Sequence, residues 1–305
     1  MIDETTSSSS TSSTTSSASQ TPAWSESRVA ESASASATLD PNPSTAREVV
    51  IARRRRLQEQ ILTIGSPILL ILLWELLSRV GLLDRRFFPA PSSIVGTFGT
   101  LLSSGELLSD VRDTLTRVFV GLLLGGVPGL IIGAIMGLSP LARAFFKPVV
   151  AALFPIPKIA VLPLIFLIFG LGEEAKYVSV AIGIVFLMLI NTMAGVIAID
   201  QIYFDVGKNF GANRWQFFRT IAVPGAMPGI LIGLQLSLTI ALLVCVATEF
   251  VGAKSGLGYL IWNSWQTFSV STMYVGLVVC ALLGVVFQFV VEVLERVLIP
   301  WKHRS

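Results

Sequence analysis

The sequence predicts an all-α membrane protein with six transmembrane helices and a disordered N-terminal tail. The 305 residues are 53% hydrophobic and only 13% charged, whereas soluble proteins average about 45–50% apolar and about 25% charged residues. The mean hydropathy is +0.75. Because one helical crossing of a bilayer takes roughly 20 apolar residues, this length holds several spans and excludes a fused ATPase or catalytic domain.

Residues 1–52 are expected to form a disordered, Ser/Thr-rich cytoplasmic tail. Residues 5–17 are all Ser or Thr, and Ser, Ala and Pro continue to about residue 45. Such a segment buries too little apolar surface to offset its ordering entropy. Arg53 to Arg56 then stand directly before the first apolar stretch. Because clustered positive charges resist translocation, they indicate that the tail stays inside the cell.

The membrane domain is expected over residues 53–305. Its predicted spans are residues 57–83, 118–142, 145–169, 177–199, 225–251 and 273–299. Between the first two lies a short amphipathic piece around Leu101 to Leu108. Glu75 and Arg79 lie four residues apart in the first span, and this spacing predicts a local ion pair.

The third span is expected to have an irregular backbone, because each proline removes a helix hydrogen bond and lipid offers no replacement partner. Its prolines are Pro148, Pro155, Pro157 and Pro163.

Charge asymmetry predicts the orientation of the spans. Six spans place both termini on one side, and the side that carries more Lys and Arg is normally cytoplasmic. Outside the spans and the distal tail, twelve basic residues fall on the predicted inner side and six on the outer side. The inner set is Arg47, Arg53 to Arg56, Arg143, Lys147, Lys208, Arg214, Arg219, Lys302 and Arg304, and the outer set is Arg85, Arg86, Arg112, Arg117, Lys176 and Lys254.

Glycines at every fourth position of the second span predict close helix packing. Such a row leaves one helix face without side chains, so a second backbone can approach it. The sequence leaves open whether that second helix belongs to another subunit. The row is Gly121, Gly125, Gly129, Gly133 and Gly137, and the fifth span begins with a similar row of Gly225, Gly229 and Gly233.

Three polar residues within the spans are candidates for lining a translocation pathway: Lys158, Asn191 and Gln235. An ionisable residue at membrane depth is a pathway candidate because its burial in lipid is costly. Lys158 could attract an anion, or it could satisfy backbone carbonyls freed by the nearby prolines. Asn191 and Gln235 are also typical of contacts that join helices.

No catalytic or metal site is expected in this chain. The only histidine is His303, so neither a His-based triad nor a His-rich metal site can be assembled. Cys245 and Cys280 both lie in apolar stretches, where cysteines usually behave as small hydrophobes rather than as a disulfide pair.

The segment over residues 200–224 predicts a docking site for a cytosolic partner. A short helix exposed between two spans, with Trp215, Phe217 and Phe218 on it, is suited to a groove on another protein. Gly211 would permit a tight turn at the entry to this helix. Pro224 fits the first turn of the following span, where no amide proton is needed.

The spacing within residues 200–224 resembles the EAA loop of ABC importer permeases. That pattern is Glu-Ala-Ala, three residues, Gly, nine residues, Ile-x-Leu-Pro, and here it reads Asp205-Val206-Gly207, Gly211 and Ile221-Ala222-Val223-Pro224. Three other segments are similar to motifs of the nitrate, sulfonate, taurine and bicarbonate permease subfamily. They are residues 155–172, 211–215 and 255–259, and the resemblance covers the chain from about residue 57 onward.

The resemblance implies a type I ABC importer permease fold and an assembly of several subunits. The expected partners are a second copy of the chain, two cytosolic ATPase subunits that hold ATP and Mg, an external solute-binding protein and membrane lipid, but no nucleic acid. The chain itself has no Gly-x-x-x-x-Gly-Lys-Ser/Thr loop for ATP. The residues expected to couple to the ATPase are Asp205, Gly207, Gly211, Ala212, Arg214, Trp215 and Pro224.

The implied solute is a small anion or organic acid such as a sulfonate, nitrate, bicarbonate or aromatic carboxylate. A vitamin precursor such as a pyrimidine is the alternative within the same family. An ion-coupled secondary transporter or channel is the alternative from another class, although such proteins often carry intramembrane acids. In this chain the acidic residues that could serve ion coupling are Glu75 and Glu249, both at the edges of spans. A membrane-embedded hydrolase would lack a plausible base and a recognisable nucleophile.

Overall fold

The computed structural model describes residue 62 and residues 65–300, and among these the regular secondary structure is helical, with no β-strand. Contacts divide the chain after Leu69 into two units. The predicted tail and its boundary at residue 52 lie outside the described residues. The helices are α1 (65–80), α2 (Pro91–Ser103), α3 (Glu106–Leu138), α4 (Pro140–Leu153), α5 (Leu162–Phe169), α6 (Glu173–Ile197), α7 (Gln201–Asn209), α8 (Arg214–Phe217), α9 (Val223–Gly252), α10 (Leu257–Gln266) and α11 (Val270–Leu298).

The apolar helices confirm the all-α membrane fold. Four helices in the described part of the chain are long and apolar enough to cross a bilayer: α3, α6, Trp215–Gly252 (which contains α9) and α11. A fifth crossing is possible if α4 and the Lys158–Phe169 segment, which bend by 81° at their break, form one span. The described part of α1 is shorter than a bilayer span. The count of six spans therefore stays a prediction.

The second span differs from its predicted bounds at both ends. The helix begins at Glu106 rather than at residue 118, and the amphipathic piece around Leu101 to Leu108 is divided between α2 and α3. Gly105 separates them in a left-handed conformation with φ 77°, which glycine adopts without steric cost. At the other end, Ser139 accepts a hydrogen bond from the Ala142 amide at 3.3 Å and so begins α4.

The remaining boundaries agree more closely with the expectations. Helix α6 begins at Glu173, four residues before the predicted start, and α9 and α11 begin at Val223 and Val270. The irregular third span is a helix, a break at residues 154–157, a 3₁₀ turn over Lys158–Val161 and α5. The expected Glu75–Arg79 ion pair is present, and Glu75 also accepts hydrogen bonds from Ser92.

Helix α6 is packed between α3 and α9 at backbone distance. A Cβ atom at Gly125 would lie 2.7 Å from the Ala181 Cα atom, and one at Gly129 would lie 2.5 Å from the Val185 carbonyl oxygen. All five glycines of the α3 row face α6, which answers the question left open by the sequence: their neighbour belongs to the same chain. The facing residues are Val180, Ala181, Val185, Leu189 and Val196.

The second glycine row joins α9 to the other side of α6. A Cβ atom at Gly229 would lie 2.8 Å from the Asn191 carbonyl oxygen. Around these contacts the helices share a buried apolar core that includes Val118, Val180, Ile184, Ala241 and Cys245. A second core lies among α2, α3, α10 and α11 and contains Ile94, Leu107, Leu257, Leu260, Val275 and Val279. Cys245 and Cys280 are both free thiols.

Candidate coupling and transport site

The turn at Gly211 is a glycine C-cap that ends α7. Gly211 has φ 68°, its amide donates to the Lys208 carbonyl at 3.0 Å, and the next amide, Ala212, donates to the Gly207 carbonyl at 3.0 Å. This pair of hydrogen bonds satisfies the last carbonyls of the helix while the chain reverses direction. The glycine of the sequence motif therefore occupies the one position of the turn that favours a residue without a side chain.

A reciprocal cap begins α8 two residues later. The Asn213 amide donates to Gln216 Oε1 at 2.9 Å, and the Gln216 amide donates to Asn213 Oδ1 at 2.8 Å. This is a capping box, which satisfies two amides that the first helical turn would otherwise leave unpaired. Helix α8 then continues through a π-helical turn over Phe218–Ala222 into α9, with Pro224 in the first turn.

Aromatic packing holds α7 against α8. The rings of Phe204 and Phe217 have centroids 5.0 Å apart. Gly207 is buried beneath them, and a Cβ atom there would lie 2.8 Å from Ile221 Cδ1 and 3.0 Å from Phe217 Cε2. The residues around the turn therefore leave no room for a side chain at Gly207, which makes the helix–turn–helix a defined structure.

The outer face of this segment exposes large apolar side chains. Trp215 is 67% exposed and Phe210 is 86% exposed. Trp215 stacks on Phe218 with ring centroids 5.9 Å apart. We call this the aromatic face of the 200–224 loop; its exposed apolar members are Ile202, Tyr203, Val206, Phe210, Trp215 and Phe218. A contiguous exposed apolar surface is typical of a site that binds another protein or a membrane.

The sequence-predicted coupling residues all lie in or beside this segment. Asp205 is exposed on α7, Ala212 is half-buried after the turn, and Pro224 is half-buried at the start of α9. Arg214 begins α8. The structure thus brings together the motif residues that the sequence spreads over twenty positions.

The three pathway candidates lie on different elements. Lys158 Nζ donates to the carbonyls of Leu153 and Phe154 at 2.9 and 3.0 Å, at the end of α4, and lies 4.9 Å from the Phe186 ring centroid. These are the contacts expected if Lys158 satisfies carbonyls freed by the prolines. Asn191 Nδ2 donates to the Leu187 carbonyl of its own helix at 2.8 Å. Gln235 is half-buried on α9.

The sequence reasoning missed a buried set of charged residues at the opposite end of α6 and α9. Arg117 on α3 is only 4% exposed; its Nη1 atom lies 2.6 Å from Glu249 Oε1 on α9. Its Nε and Nη2 atoms donate to the two carboxylate oxygens of Glu173 on α6 at 2.7 and 2.8 Å. Lys176 also pairs with Glu173, at 2.7 Å. One arginine therefore joins three helices through charge-assisted hydrogen bonds.

The same set binds the backbone at the start of α10. The amides of Gly256 and Gly258 donate to Asp110 Oδ1 and Glu249 Oε2, each at 2.7 Å. The Leu257 amide donates to Thr114 Oγ1 at 2.9 Å. Arg117 Nη1 donates to the Ser255 carbonyl at 2.8 Å, and Ser255 Oγ donates to Asp113 Oδ2 at 2.6 Å. We call this set the ion-pair cluster: Asp110, Asp113, Thr114, Arg117, Glu173, Lys176, Glu249 and Ser255.

The spacing along α3 contains a signal for this cluster. The glycine row, continued toward the N-terminus in steps of three or four residues, passes through Arg117, Thr114 and Asp110. Residues at such steps share one helix face. Arg117 and Lys176 were counted only as charges on the outer side; the structure shows that both side chains are buried and paired with Glu173.

The long apolar helices place the protein in the class of multi-pass membrane proteins, and the family match narrows this class to transport subunits. Residues 129–304 match the family described as "Binding-protein-dependent transport system inner membrane component". That match includes the 200–224 loop and all three pathway candidates. Among the described residues, no group of three or more His, Cys, Asp or Glu side chains could hold a metal ion.

Two relatives and one solved structure agree with this class. The chain is 33% identical over 237 residues to the putative aliphatic sulfonates transport permease protein SsuC of Bacillus subtilis (strain 168), covering 78% of this chain and 86% of that protein. It is 33% identical over 243 residues to the riboflavin transport system permease protein RibX of Chloroflexus aurantiacus (strain ATCC 29366 / DSM 635 / J-10-fl), covering 78% and 90%.

The solved structure is the MetNI methionine ABC transporter in inward-facing conformations. Its matched chain has a TM-score of 0.56 at 21% identity, and the alignment covers 64% of this chain and 97% of that one. The present chain belongs to the binding-protein-dependent inner-membrane components, which are the permease subunits of ABC importers and not enzymes. This membership replaces the alternative of an ion-coupled secondary transporter or channel.

Proposed function

We propose that the 200–224 loop is the coupling element of this permease and that its aromatic face docks into a groove on a cytosolic ATPase subunit. The observation that carries the proposal is the exposure of Trp215 and Phe210 on a turn held by a glycine C-cap and a capping box. Large aromatic side chains are the usual anchors of protein interfaces. A preformed turn lowers the entropy that docking must overcome.

Each predicted coupling residue receives a role from its position. Trp215 is the anchor, Gly211 forms the turn, and Gly207 lets α8 approach α7. Asp205 supplies an exposed charge on α7, Arg214 begins α8, and Ala212 keeps the turn narrow. Pro224 begins α9, so a displacement of the loop passes directly into that helix.

The complete transporter is proposed to contain two copies of this chain, two ATPase subunits that hold ATP and Mg, and an external solute-binding protein, all in a lipid bilayer. The excess of positive charge on the side of the 200–224 loop supports a cytoplasmic location for the loop and for both termini. The ion-pair cluster then lies at the outer end of the subunit.

The proposed solute is a small anion of the sulfonate class. The similarity to the aliphatic sulfonates permease supports this class, and Lys158 supplies a cation at the break in the third span. Nitrate, bicarbonate and aromatic carboxylates share the same charge. The second candidate is a vitamin or vitamin precursor, because the riboflavin permease is similar to the same degree. Asn191 and Gln235 are proposed to line the pathway with Lys158.

Binding of the ATPase subunit tests the coupling role. The permease in lipid nanodiscs is mixed with a candidate ATPase subunit, and the dissociation constant is measured for the wild type, Trp215→Ala and Trp265→Ala. Trp265 is the matched control, because it is a 57% exposed tryptophan on α10 at the other end of the subunit. Trp215→Ala should weaken binding by about 30-fold or more, as loss of an interface anchor does, and Trp265→Ala should not. Equal binding by both variants contradicts the proposal.

Stimulation of ATP hydrolysis tests the solute. The assembled complex is mixed with binding proteins loaded with ethanesulfonate, nitrate, benzoate or riboflavin. Stimulation by the ethanesulfonate-loaded protein supports the sulfonate class, and stimulation by the riboflavin-loaded protein alone replaces it with the vitamin class. Lys158→Met should reduce uptake of the anion; unchanged uptake would remove Lys158 from the pathway.

A further inference from the structure

The ion-pair cluster lies where three long helices meet the start of α10. Two of these helices, α6 and α9, run between the cluster and the 200–224 loop. Glu173 is the first residue of α6, whose last turn ends before the loop at Ile197, and α9 runs from the loop to Glu249 and Gly252. Any rigid displacement of either helix by the loop therefore reaches the cluster.

Arg117 is the point at which the two helices are joined. Its guanidinium binds Glu173 of α6 through two nitrogens and Glu249 of α9 through the third. The planar guanidinium holds both carboxylates in fixed directions, which a lysine ammonium cannot do. The Glu249 side chain is fully buried, whereas that of Glu173 is 45% exposed. The contact with Glu173 is therefore the half of the junction that water can reach.

The junction also controls the position of α10. Three successive backbone amides, from Gly256 to Gly258, donate to side chains of α3 and α9. These are the amides of the N-cap, Gly256, and of the first two residues of α10; the first amides of a helix have no partner within it. Beyond this start, α10 packs in the second core with α2 and α11 rather than in the core of α6. The cluster is thus the polar connection between the start of α10 and the helices that carry the loop.

We infer that Arg117 is a positioning residue for transport: it makes α10 follow the movement of α6 and α9 when the ATPase subunits move the 200–224 loop. This inference rests on the proposed function, because the movement begins at the loop. Arg117 does not touch the loop or the pathway candidates. It acts through Glu173, Glu249 and the Ser255 carbonyl, to which it is hydrogen-bonded.

The test follows α10 with a spin label in the complete complex. Asn263→Cys places the label on the exposed face of α10, in a chain whose buried Cys245 and half-buried Cys280 are replaced by alanine. The permease is assembled with its ATPase subunits in nanodiscs, and spectra are recorded before and after trapping with Mg-ATP and vanadate. ATP hydrolysis is measured on the same samples. The wild-type label should change its spectrum on trapping.

Glu173→Gln is the principal variant, because it keeps the size of the side chain and leaves the buried Arg117–Glu249 pair intact; it also removes the carboxylate that pairs with buried Lys176, so the folded fraction is measured for every variant. We expect the change in label signal to fall about five-fold or more, in the range of measured couplings between sites, while ATP hydrolysis continues. Glu174→Gln is the matched control, because Glu174 is the next residue of α6 and is exposed; it should behave as the wild type. Arg117→Lys, which keeps the charge, should give an intermediate response.

The ratio of label response to ATP hydrolysis separates positioning from a structural role. A variant that only misfolds a fraction of the protein lowers both signals together and leaves their ratio unchanged, and that result overturns the inference. A wild-type response in both Glu173→Gln and Arg117→Lys also overturns it, as does a wild-type label that does not respond while ATP is hydrolysed. If the wild-type chain binds no ATPase subunit, the proposed function fails instead.

Discussion

The two ends of α6 and α9 reverse the usual distribution of polar and apolar side chains. At the ion-pair cluster, Arg117, Lys176 and Glu249 are buried, and each forms an ion pair. At the 200–224 loop, Trp215 and Phe210 are exposed on a well-defined turn. Arg117, Lys176 and Glu249 therefore have their opposite charges within the chain. Among the described residues, Trp215 and Phe210 of the aromatic face stay largely exposed, which is why we propose that a partner covers this end.

The difference has an energetic consequence for the isolated chain. Removing one member of a buried ion pair leaves its partner charged, buried and unpaired, which costs about 3–5 kcal/mol. Truncating an exposed side chain usually changes stability by no more than about 0.5 kcal/mol. Variants at the two ends should therefore separate the stability of the chain from its binding to the ATPase.

The largest loss of stability is expected for Arg117→Met. This change leaves Glu249 without its cation and the Ser255 carbonyl without a donor, and we expect a loss of about 3–5 kcal/mol. Thermal unfolding of the purified permease in detergent measures it. Arg112→Met is the control on the same helix, because Arg112 is 76% exposed in its pair with Asp113 and such pairs contribute about 0–1 kcal/mol. Equal unfolding temperatures would show that the cluster contributes nothing to stability.

A smaller loss is expected for Gly207→Val, which crowds the loop. The added side chain would meet Ile221 and Phe217, and overpacking of this kind typically costs about 1–3 kcal/mol. Because α8 must move away from α7, binding of the ATPase subunit should also weaken. The same substitution at Gly99, where a Cβ atom meets nothing within 4 Å, is the control. Wild-type unfolding and binding in Gly207→Val would show that α7 and α8 do not need this contact.

The sequence predicted more of the loop than of the cluster, and the physical reason is distance along the chain. The coupling motif is local, because Gly211 and its capping partners lie within six residues of one another. Asn213 and Gln216 have the sequence spacing of a capping box, so this cap could also have been predicted from the sequence. By contrast, Thr114 and Glu249 are 135 positions apart, and no local pattern reports that they meet.

The hydropathy pattern located the apolar middle of each long helix but not the start of α3. The starts of α6, α9 and α11 were predicted to within four residues, whereas α3 begins twelve residues before the predicted start. Asp110 and Arg117 count as polar in any hydropathy window, although in the structure Asp110 accepts a hydrogen bond from the Gly256 amide and Arg117 forms ion pairs with Glu173 and Glu249. The 3.6-residue period of α3 was the better indicator, because it continues the glycine row through these residues.

A modest loss is expected for Gly211→Ala at the turn. An L-residue in the left-handed conformation costs about 1–2 kcal/mol, and Gly211 has φ 68° with open space around its Cα atom. The free energy of unfolding should therefore change only through the backbone conformation at residue 211. Gly284→Ala is the control, because Gly284 lies in α11 with equal space but without a positive φ; there alanine should stabilise the helix by about 0.5–1 kcal/mol. Opposite shifts in unfolding temperature support the C-cap, and parallel shifts contradict it.

The smallest effect on the isolated chain is expected for Trp215→Ala, and it sharpens the contrast between the two ends. Trp215 is 67% exposed and stacks on Phe218, so the unfolding free energy should change by no more than about 0.5 kcal/mol. In the assembled complex the same variant should unfold well below the wild type, because a bound partner at free concentration L stabilises the folded state by RT ln(1 + L/Kd), which falls when the dissociation constant Kd rises. Arg117→Met should show the reverse order, with a large loss in the isolated chain and no additional loss on assembly. If Trp215→Ala destabilises the isolated permease as much as the complex, Trp215 supports the fold of the loop and the aromatic face is not the surface that the ATPase covers.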